Sequence, residues 1–283
     1  MKLLTTIHRL ENYQKLALEA DGFVVGVKDF STRETSFLTK AEITKLATWT
    51  KRDQKELYLS IKAFLHQQGE ELLKFLASLE VELTGIIVGD IGYYYLLKAL
   101  KIPLIYQPET LITNTNDLNI YYETGFQGVF LGKEITLKDL LEMTLKSKAK
   151  TYLLGHGHFN MFYSKRMLLS SYFKEIKKDL KVKDQTFFLK EEKRAEYLPV
   201  MEDQFGTHIY RSDVSSVIDY LKDLNNIDYF LIDSIFYDDD YGVDVLKMFK
   251  GKKTKEELLN KYQQVWDEGF LKTKTIYKRG QDD

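Results

Sequence analysis

The sequence contains no cysteine among its 283 residues. This absence excludes disulfide bonds, a thiolate nucleophile, and zinc or iron–sulfur centres that are held by cysteine. Proline is also rare, with three residues, and no low-complexity linker divides the chain, so we expect one domain over residues 1–283. No apolar run approaches the roughly 18 residues of a membrane span, and the N-terminus lacks a signal-peptide pattern. We therefore expect a cytoplasmic protein without a membrane partner.

A strong charge of one sign is absent too, because 41 Lys/Arg face 42 Asp/Glu. Two stretches are nevertheless basic: residues 165–194 hold ten Lys/Arg against five Asp/Glu, and residues 247–279 hold ten against four. Aromatic residues accompany both stretches, namely Tyr172, Phe173, Phe187 and Phe188 in the first, and Phe249, Tyr262, Trp266 and Tyr277 in the second. Basic charge beside aromatic rings suits RNA with unstacked bases, and an ordinary lysine-rich surface explains the pattern equally well.

Short apolar runs alternate with amphipathic helical stretches along the first half of the chain. The runs predict strands over residues 3–7, 23–27, 57–61, 85–88, 104–106, 128–131 and 151–154. Strands that alternate with helices favour a parallel sheet, and seven units in about 150 residues fit a closed barrel better than an open sheet. We predict a TIM-like (β/α) barrel whose eighth strand is residues 229–232. A small antiparallel β insertion is expected over residues 174–213, followed by a helix over residues 214–224.

In such a barrel the functional residues lie at the carboxyl ends of the strands. This rule selects Lys62, Glu109 and Asp233 among others, and a glycine-flanked pair, His156 and His158, after the seventh strand. The pair could bind a metal, assist acid–base chemistry, or hold a loop. No HExxH zinc motif and no GxSxG nucleophile motif is present, and we predict no metal ligands.

The stretch GHGHFNMFYSKRMLLSSYF (residues 155–173) resembles the signature of the collagenase-like peptidases, peptidase family U-32. The matching residues are His156, Gly157, Ser164, Arg166, Leu169, Ser170 and Tyr172. A second block, EEKRAEYLPVMEDQFGTHIYRSDV (residues 191–214), resembles another conserved stretch of the family. LGKEITLKDL (residues 131–140) resembles a third, in which Glu134 matches and Lys133 replaces an arginine.

The resemblance also shows a departure. In the longer members, two cysteines of the signature help to hold an iron–sulfur cluster, and this chain has Asn160 and Met167 at those positions. Neither side chain is a thiolate, so we expect no iron–sulfur cluster and no covalently bound cofactor. The chain looks like the short branch of the family, which accompanies a longer paralogue that is a possible partner.

The family resemblance implies a barrel fold and two incompatible activities. One is prephenate-dependent 5-hydroxylation of the wobble uridine in tRNA, which makes prephenate a candidate substrate and tRNA a candidate partner. The other is a collagenase-like peptidase, here metal-assisted through His156, His158 and Glu134. A third hypothesis is a non-catalytic partner subunit of the longer paralogue. We favour the tRNA-modifying role because the chain shows no recognisable peptidase apparatus.

The candidate site combines the rim positions with the matched residues. We predict His156 as an acid–base group or polar anchor and Glu134 as its carboxylate partner. The predicted substrate-binding residues are Arg166, Asn114, Lys133, Asn160 and His158. In the alternative structural role, Arg166 pairs with Glu202 or Asp203 and fixes the insertion to the barrel.

Overall fold

A closed ring of eight parallel strands forms the body of the molecule, in a computed structural model that describes residues 1–64, 68–183, 185–193 and 195–273. The strands of these residues are, in chain order, β1 (Lys2–Thr5), β2 (Gly22–Val27), β3 (Phe37–Leu38), β4 (Glu56–Ile61), β5 (Gly85–Val88), β6 (Leu104–Tyr106), β7 (Gly128–Phe130), β8 (Lys150–Ser164), β9 (Thr186–Lys190), β10 (Tyr197–Asp203), β11 (Gly206–Ser216), β12 (Tyr229–Ile232) and β13 (Trp266–Asp267).

The α-helices lie between and after the barrel strands. They are α1 (Tyr13–Ala17), α2 (Lys40–Arg52), α3 (Gly69–Ser78), α4 (Gly92–Leu97), α5 (Thr115–Thr124), α6 (Leu137–Leu145), α7 (Leu168–Glu175), α8 (Asp239–Phe249) and α9 (Lys255–Tyr262), with short 3-10 helices at Leu10–Asn12, Lys98–Leu100 and Ile218–Tyr220. No helix in the described ranges is long and apolar enough to span a membrane.

The barrel runs in the order β1, β2, β4, β5, β6, β7, β8 and β12. It closes because β12 pairs in parallel with both β1 and β8. The predicted barrel is therefore confirmed, including its eighth strand at Tyr229–Ile232. Apolar and aromatic side chains fill the interior, where the Tyr152 and Tyr229 rings stack with centroids 4.4 Å apart. A second, larger apolar cluster joins the outer face of the barrel to the helices.

Two helices begin at a capping threonine. Thr39 caps α2 and Thr136 caps α6, each by a capping box with the acidic residue three positions later, Glu42 or Asp139. The side chain of the capping threonine accepts a backbone hydrogen bond that would otherwise lack a partner, and this fixes the start of the helix.

Strand β8 continues beyond the barrel into a second, antiparallel sheet. Its outer half pairs with β11, and β10 and β9 follow, which gives the sheet order β8, β11, β10, β9. Helix α7 covers one face of this sheet, where Phe173 contacts Phe187. The register places Tyr163 and His208 on the opposite face, together with Tyr210, and we call this the mouth-side face.

The predicted helix over residues 214–224 is wrong. Strand β11 extends to Ser216 because Val214, Ser215 and Ser216 pair with His158, Gly157 and His156 of β8. Only the 3-10 helix Ile218–Tyr220 follows. Apolar residues at positions 214, 217, 218 and 221 fit a helical period, but the long-range pairing with β8 decides the structure.

Candidate functional site at the barrel mouth

A cavity opens at the carboxyl ends of the barrel strands. Six charged side chains reach it from the loops after β2, β4, β6, β7 and β12: Arg33, Glu34, Lys62, Glu109, Lys133 and Asp233. The carboxyl ends of parallel barrel strands meet at one rim, so residues far apart in sequence become neighbours here.

The charges alternate in sign along a chain of contacts. Lys62 Nζ lies 3.0 Å from Glu34 Oε1 and 3.4 Å from Glu109 Oε1. The second oxygen of Glu109 lies 3.4 Å from Lys133 Nζ, which also donates to the Asn160 carbonyl at 2.5 Å. Ser60 donates to Glu34 at 2.6 Å. Glu34, Lys62, Glu109 and Lys133 therefore each have an opposite charge or a hydrogen-bond partner, as buried charges require.

Burial and pairing shift these groups in different directions. Burial raises the pKa of Glu34, and it also raises the pKa of Asp233. Burial would raise the pKa of Glu109 too, but Lys62 and Lys133 outweigh it and hold that pKa well below its usual range. Burial lowers the pKa of Lys133, whereas for Lys62 the carboxylates of Glu34 and Glu109 overcome burial and raise the pKa. Lys62 and Lys133 therefore share the Glu109 carboxylate, but their pKa values are shifted in opposite directions.

Two hydrogen-bond donors of the cavity wall have no acceptor among the described residues. The hydroxyl of Tyr210, a residue only 3% exposed, has no hydrogen-bond partner there, and neither does the buried Nε of Arg33. Burial raises the pKa of Tyr210 well above its ordinary value, so its hydroxyl stays protonated and can donate. Buried polar groups are normally paired. These two groups therefore favour a ligand with acceptor oxygens in the cavity.

The loop after β2 folds back over the mouth and carries Arg33 into place. Gly26 permits this, because a Cβ at that position would lie 2.6 Å from the Ser36 carbonyl oxygen. The loop is fastened at its far end by Thr35, which donates to Asp233 at 3.0 Å. Thr32 bonds to His208 at 3.0 Å, so the loop also contacts the mouth-side face of the outer sheet.

A second loop, residues 107–113, is strained and is held by Glu134. Glu109 and Leu111 both adopt left-handed backbone angles, with φ of 74° and 77°, which non-glycine residues rarely do. Glu134 Oε1 accepts the Leu111 backbone N–H at 2.8 Å, while its other oxygen is buried without a partner in the described part of the chain. Glu134 lines a groove next to the cavity and keeps Glu109 between the two lysines.

The structure does not bring His156 to Glu134. His156 is fully buried outside the cavity, with Nε2 2.6 Å from the Tyr241 hydroxyl and its ring edge-on to Trp266. The extra residue Gly155 interrupts the pairing of β8 with β12. A bulge reverses the alternation of side chains, so His156 faces the outer helices although Tyr152 and Leu154 face the interior. Burial lowers the pKa of His156 to about 3.

His158 does line the cavity. Its Nδ1 lies 2.8 Å from the Arg211 carbonyl oxygen, so this nitrogen carries the proton, and its Nε2 accepts from the Tyr237 hydroxyl at 3.0 Å. Burial lowers the pKa of His158, which keeps the ring neutral. A metal-assisted peptidase would need His156, His158 and Glu134 to converge, and they do not. No group of three or more metal-ligating side chains forms within the described ranges.

The other predicted residues are dispersed. Lys133 and Asn160 line the cavity. Asn114 is exposed and caps α5, where its side chain accepts from the Asp117 backbone at 3.0 Å. The Arg166 side chain is exposed and lines none of the cavities described.

The alternative structural role of Arg166 is not seen either, because the two carboxylates have other partners. Glu202 accepts from the first turn of α7 and from Thr207, and Asp203 pairs with His208. Arg166 touches Thr207 only through its backbone carbonyl, which accepts the threonine hydroxyl at 2.9 Å.

Comparison with known proteins identifies the family. The sequence profile of peptidase family U32 matches residues 9–280. The chain belongs to peptidase family U32. A relative from Bacillus subtilis (strain 168), tRNA hydroxylation protein P2, is 28% identical over 243 residues, which cover 82% of this chain and 78% of the relative. The solved structure of the U32 peptidase Mk0906 superposes with a TM-score of 0.52 and 12% identity, over 83% of this chain and 92% of that one, and so supports the fold.

This U32 chain does not fit the iron–sulfur cluster that its resemblance to the longer members implies. The Asn160 side-chain Nδ2 donates to the Ile209 carbonyl oxygen at 3.4 Å, and the Asn160 backbone carbonyl accepts from Lys133. Met167 is the residue before α7 and is partly exposed. An amide and a thioether at these places cannot supply the thiolates of such a cluster.

Three cavity residues of the U32 chain were not found by sequence reasoning: Arg33, Glu34 and Tyr210. Arg33 and Glu34 lie six and seven residues after the end of β2, beyond the strand end that the barrel rule selects. Tyr210 belongs to the inserted sheet and not to a barrel strand. Arg33 and Glu34 belong to the polar run STRET, residues 31–35, which is typical of an ordinary loop in sequence. Only the long-range contacts of Glu34 with Ser60 and of Thr35 with Asp233 place this run at the mouth.

Proposed function

We propose that this U32 protein supports hydroxylation of the wobble uridine in tRNA, and that its barrel-mouth cavity binds the small carboxylate substrate of that reaction, prephenate. The relative named for tRNA hydroxylation supports the reaction class. The choice of prephenate follows from the family resemblance and from the chemistry of the cavity.

The unpaired donors of the cavity are the observation that carries the proposal. Tyr210 and Arg33 offer an O–H and an N–H that are unpaired within the described residues, and Lys62 and Lys133 add two ammonium groups. Carboxylates are bound most strongly by such charged and buried donors. Prephenate carries two carboxylates, so the arginine end and the lysine end of the cavity can each take one.

The residues have separate tasks in this proposal. Arg33 and Tyr210 bind and orient one carboxylate, and Lys133, released from Glu109, turns to the other. Glu109, Glu34 and Asp233 balance the cations before the ligand arrives, which keeps the cavity stable without it. The loop after β2 and the loop of residues 107–113 exclude bulk water from the bound molecule.

The test is mass spectrometry of tRNA nucleosides from a strain that lacks the gene. We expect 5-hydroxyuridine-derived nucleosides to disappear and to return with the wild-type gene. Tyr210→Phe should restore them only partly. Its melting temperature should be unchanged or higher, because the hydroxyl that is removed makes no hydrogen bond within the described residues. Tyr95→Phe, at a side chain 67% exposed on α4, is the matched control.

A binding measurement accompanies it. Prephenate should raise the melting temperature of the wild-type protein and of Tyr95→Phe, and raise it less for Tyr210→Phe. Unchanged tRNA nucleosides in the deletion strain would contradict the proposed reaction. Equal stabilisation of Tyr210→Phe and wild type by prephenate would contradict the proposed ligand site.

A further inference from the structure

The first basic stretch, extended to residues 161–197, carries an excess of positive charge. Residues 161–197 hold ten Lys/Arg and six Asp/Glu. The rest of the chain holds 31 Lys/Arg and 36 Asp/Glu, out of totals of 41 and 42. Among the described residues, no Lys or Arg of this segment forms an ion pair. Arg194 lies outside the described residues.

The second basic stretch, residues 247–279, is different. Six of its lysines pair with carboxylates: Lys250 and Lys252 with Glu19, Lys253 and Lys261 with Asp244, Lys255 with Asp219, and Lys272 with Glu268. Its aromatic rings Phe249 and Trp266 are buried. Tyr277 and Arg279 lie outside the described residues. Within residues 247–273, most of the lysines are therefore already paired, and these two rings are not available to RNA.

Exposed apolar side chains are concentrated in the first stretch. Ten of the 21 large hydrophobic side chains that are exposed in the described part of the chain lie between residues 161 and 197. Phe188 and Tyr197 are the aromatic ones on the outer hairpin, 65% and 56% exposed. Large apolar groups at a surface mark an interaction site when they cluster.

The register of the outer sheet shows which way these rings point. Lys190 pairs with Tyr197, and Phe188 pairs with Pro199 two residues further along β10. Side chains two apart in a strand share a face. Tyr197, Pro199 and Met201 therefore share one face, and Met201 pairs with His208 of the mouth-side face. Phe188, Lys190 and Tyr197 thus lie on the same face as Tyr210 in the cavity wall.

The same face offers both stacking and charge. Lys190 Nζ lies 4.4 Å from the centre of the Tyr197 ring. Nearer the mouth, Tyr163 stacks on His208 with centroids 4.9 Å apart, and Phe64, which is 37% exposed, stacks on Tyr163 at 6.0 Å. Exposed aromatic rings on a sheet with lysines beside them are the arrangement that holds unpaired bases.

We propose that the exposed part of the mouth-side face, Phe188, Lys190 and Tyr197, binds unpaired bases of an RNA loop and presents the loop to the barrel mouth. The inference rests on the proposed function and adds the surface that receives the tRNA. A partner protein or a second copy of the chain is the competing occupant. The net positive charge of residues 161–197 favours RNA, because two copies of this face would repel each other.

The experiment measures binding of two RNAs to the full-length protein: an anticodon stem–loop with uridine at the wobble position, and a fully paired duplex of the same length. We expect tighter binding of the stem–loop and a steep loss of affinity with salt. Phe188→Ala with Tyr197→Ala should weaken stem–loop binding about tenfold or more, since each ring stacks a base. Lys190→Gln should weaken it less and reduce the salt dependence.

Tyr172→Ala is the matched control. Tyr172 is 59% exposed in the same basic segment, but it lies on α7, on the opposite face of the sheet. We expect this variant to bind the stem–loop like the wild type. Circular dichroism checks that the variants fold, and the prephenate-induced rise in melting temperature should be the same in all of them.

Four outcomes would overturn the surface and leave the proposed function standing. The first two are equal affinity for the duplex and the stem–loop, and a loss of affinity in Tyr172→Ala as large as that in Phe188→Ala with Tyr197→Ala. The third is a protein dimer that Phe188→Ala with Tyr197→Ala dissociates. The fourth is no RNA binding at low salt although the deletion strain loses the nucleoside. If prephenate does not raise the melting temperature of the wild-type protein, this result would instead count against the proposed function alone.

Discussion

At the scale of single residues, the burial of His156 has a consequence for stability. The folded protein keeps this ring neutral down to a pKa of about 3, whereas an unfolded chain protonates it near 6.5. Between these values the unfolded state binds a proton that the folded state does not, so stability falls as the pH falls. The full contribution is present above pH 6.5, and the loss approaches about 1.4 kcal/mol per pH unit below it.

We therefore expect the free energy of unfolding of the wild type to decrease between pH 7 and pH 5 more steeply than that of His156→Gln. The variant should be less stable at pH 7, because the packing against Trp266 is changed, but its pH dependence should be flatter. Urea unfolding at several pH values measures both. The same slope in both proteins would contradict a neutral, buried His156.

Residue-level chemistry was only partly predictable from the sequence. Lys62, Glu109, Lys133 and Asp233 lie one to three residues after the ends of barrel strands, and the barrel rule places them at the mouth. The orientation of His156 depends on one extra residue in the pairing of β8 with β12, and no periodicity in the sequence shows a bulge of this kind. The proposed roles of the predicted residues remain predictions.

At the scale of structural elements, the loop of residues 107–113 is a strained part of the mouth. Its two left-handed residues persist because Glu134 accepts the Leu111 N–H and Gly132 donates to the Ile112 carbonyl at 2.9 Å. Glu134, which we first predicted as the partner of His156, thus acts on Glu109 through the loop.

We expect Glu134→Ala to lower the hydroxylation restored in the deletion strain several-fold, while the free energy of unfolding falls by only about 1 kcal/mol, the usual contribution of one hydrogen bond. Glu134→Gln keeps an acceptor oxygen and should restore hydroxylation nearly fully. Nucleoside mass spectrometry and urea unfolding of both variants measure this. An equal loss in both variants would show that the negative charge itself is needed, as a catalytic role requires.

Helices and strands could be predicted where their local sequence determines the secondary structure. The barrel strands are short buried runs of aliphatic and aromatic residues, and the capped helices α2 and α6 begin with their own threonines. The region of residues 214–224 was predicted as a helix because its local period is helical. Its first part became β11 through pairing with β8, which is more than fifty residues away in the chain.

At the scale of the whole molecule, the outer sheet is not an independent unit. Strand β8 belongs both to the barrel and to the outer sheet, and β11 also pairs with β13 near the end of the described chain. The same backbone segments therefore carry hydrogen bonds for both parts, so neither part can unfold and leave the other intact.

We expect a single unfolding transition. The chain has two tryptophans, Trp49 on α2 outside the barrel and Trp266 in β13, so each single Trp→Phe variant reports one region by fluorescence. In each variant, the urea midpoint from tryptophan fluorescence should equal the midpoint from far-UV circular dichroism. The midpoints of the two variants should differ only by the stability change that each substitution causes. An earlier transition seen only by Trp266 would show that the outer sheet melts separately.

The course of β8 through both sheets also limits how the gene can change in length. Deleting or adding one codon between residues 158 and 164 would exchange the two surfaces of everything beyond it, which turns Tyr163 towards α7 and Phe162 towards Arg33. Insertions and deletions are tolerable at the hairpin bend of residues 204–205, where no side chain changes sides. Length variation among relatives should therefore collect at that bend and be missing from β8.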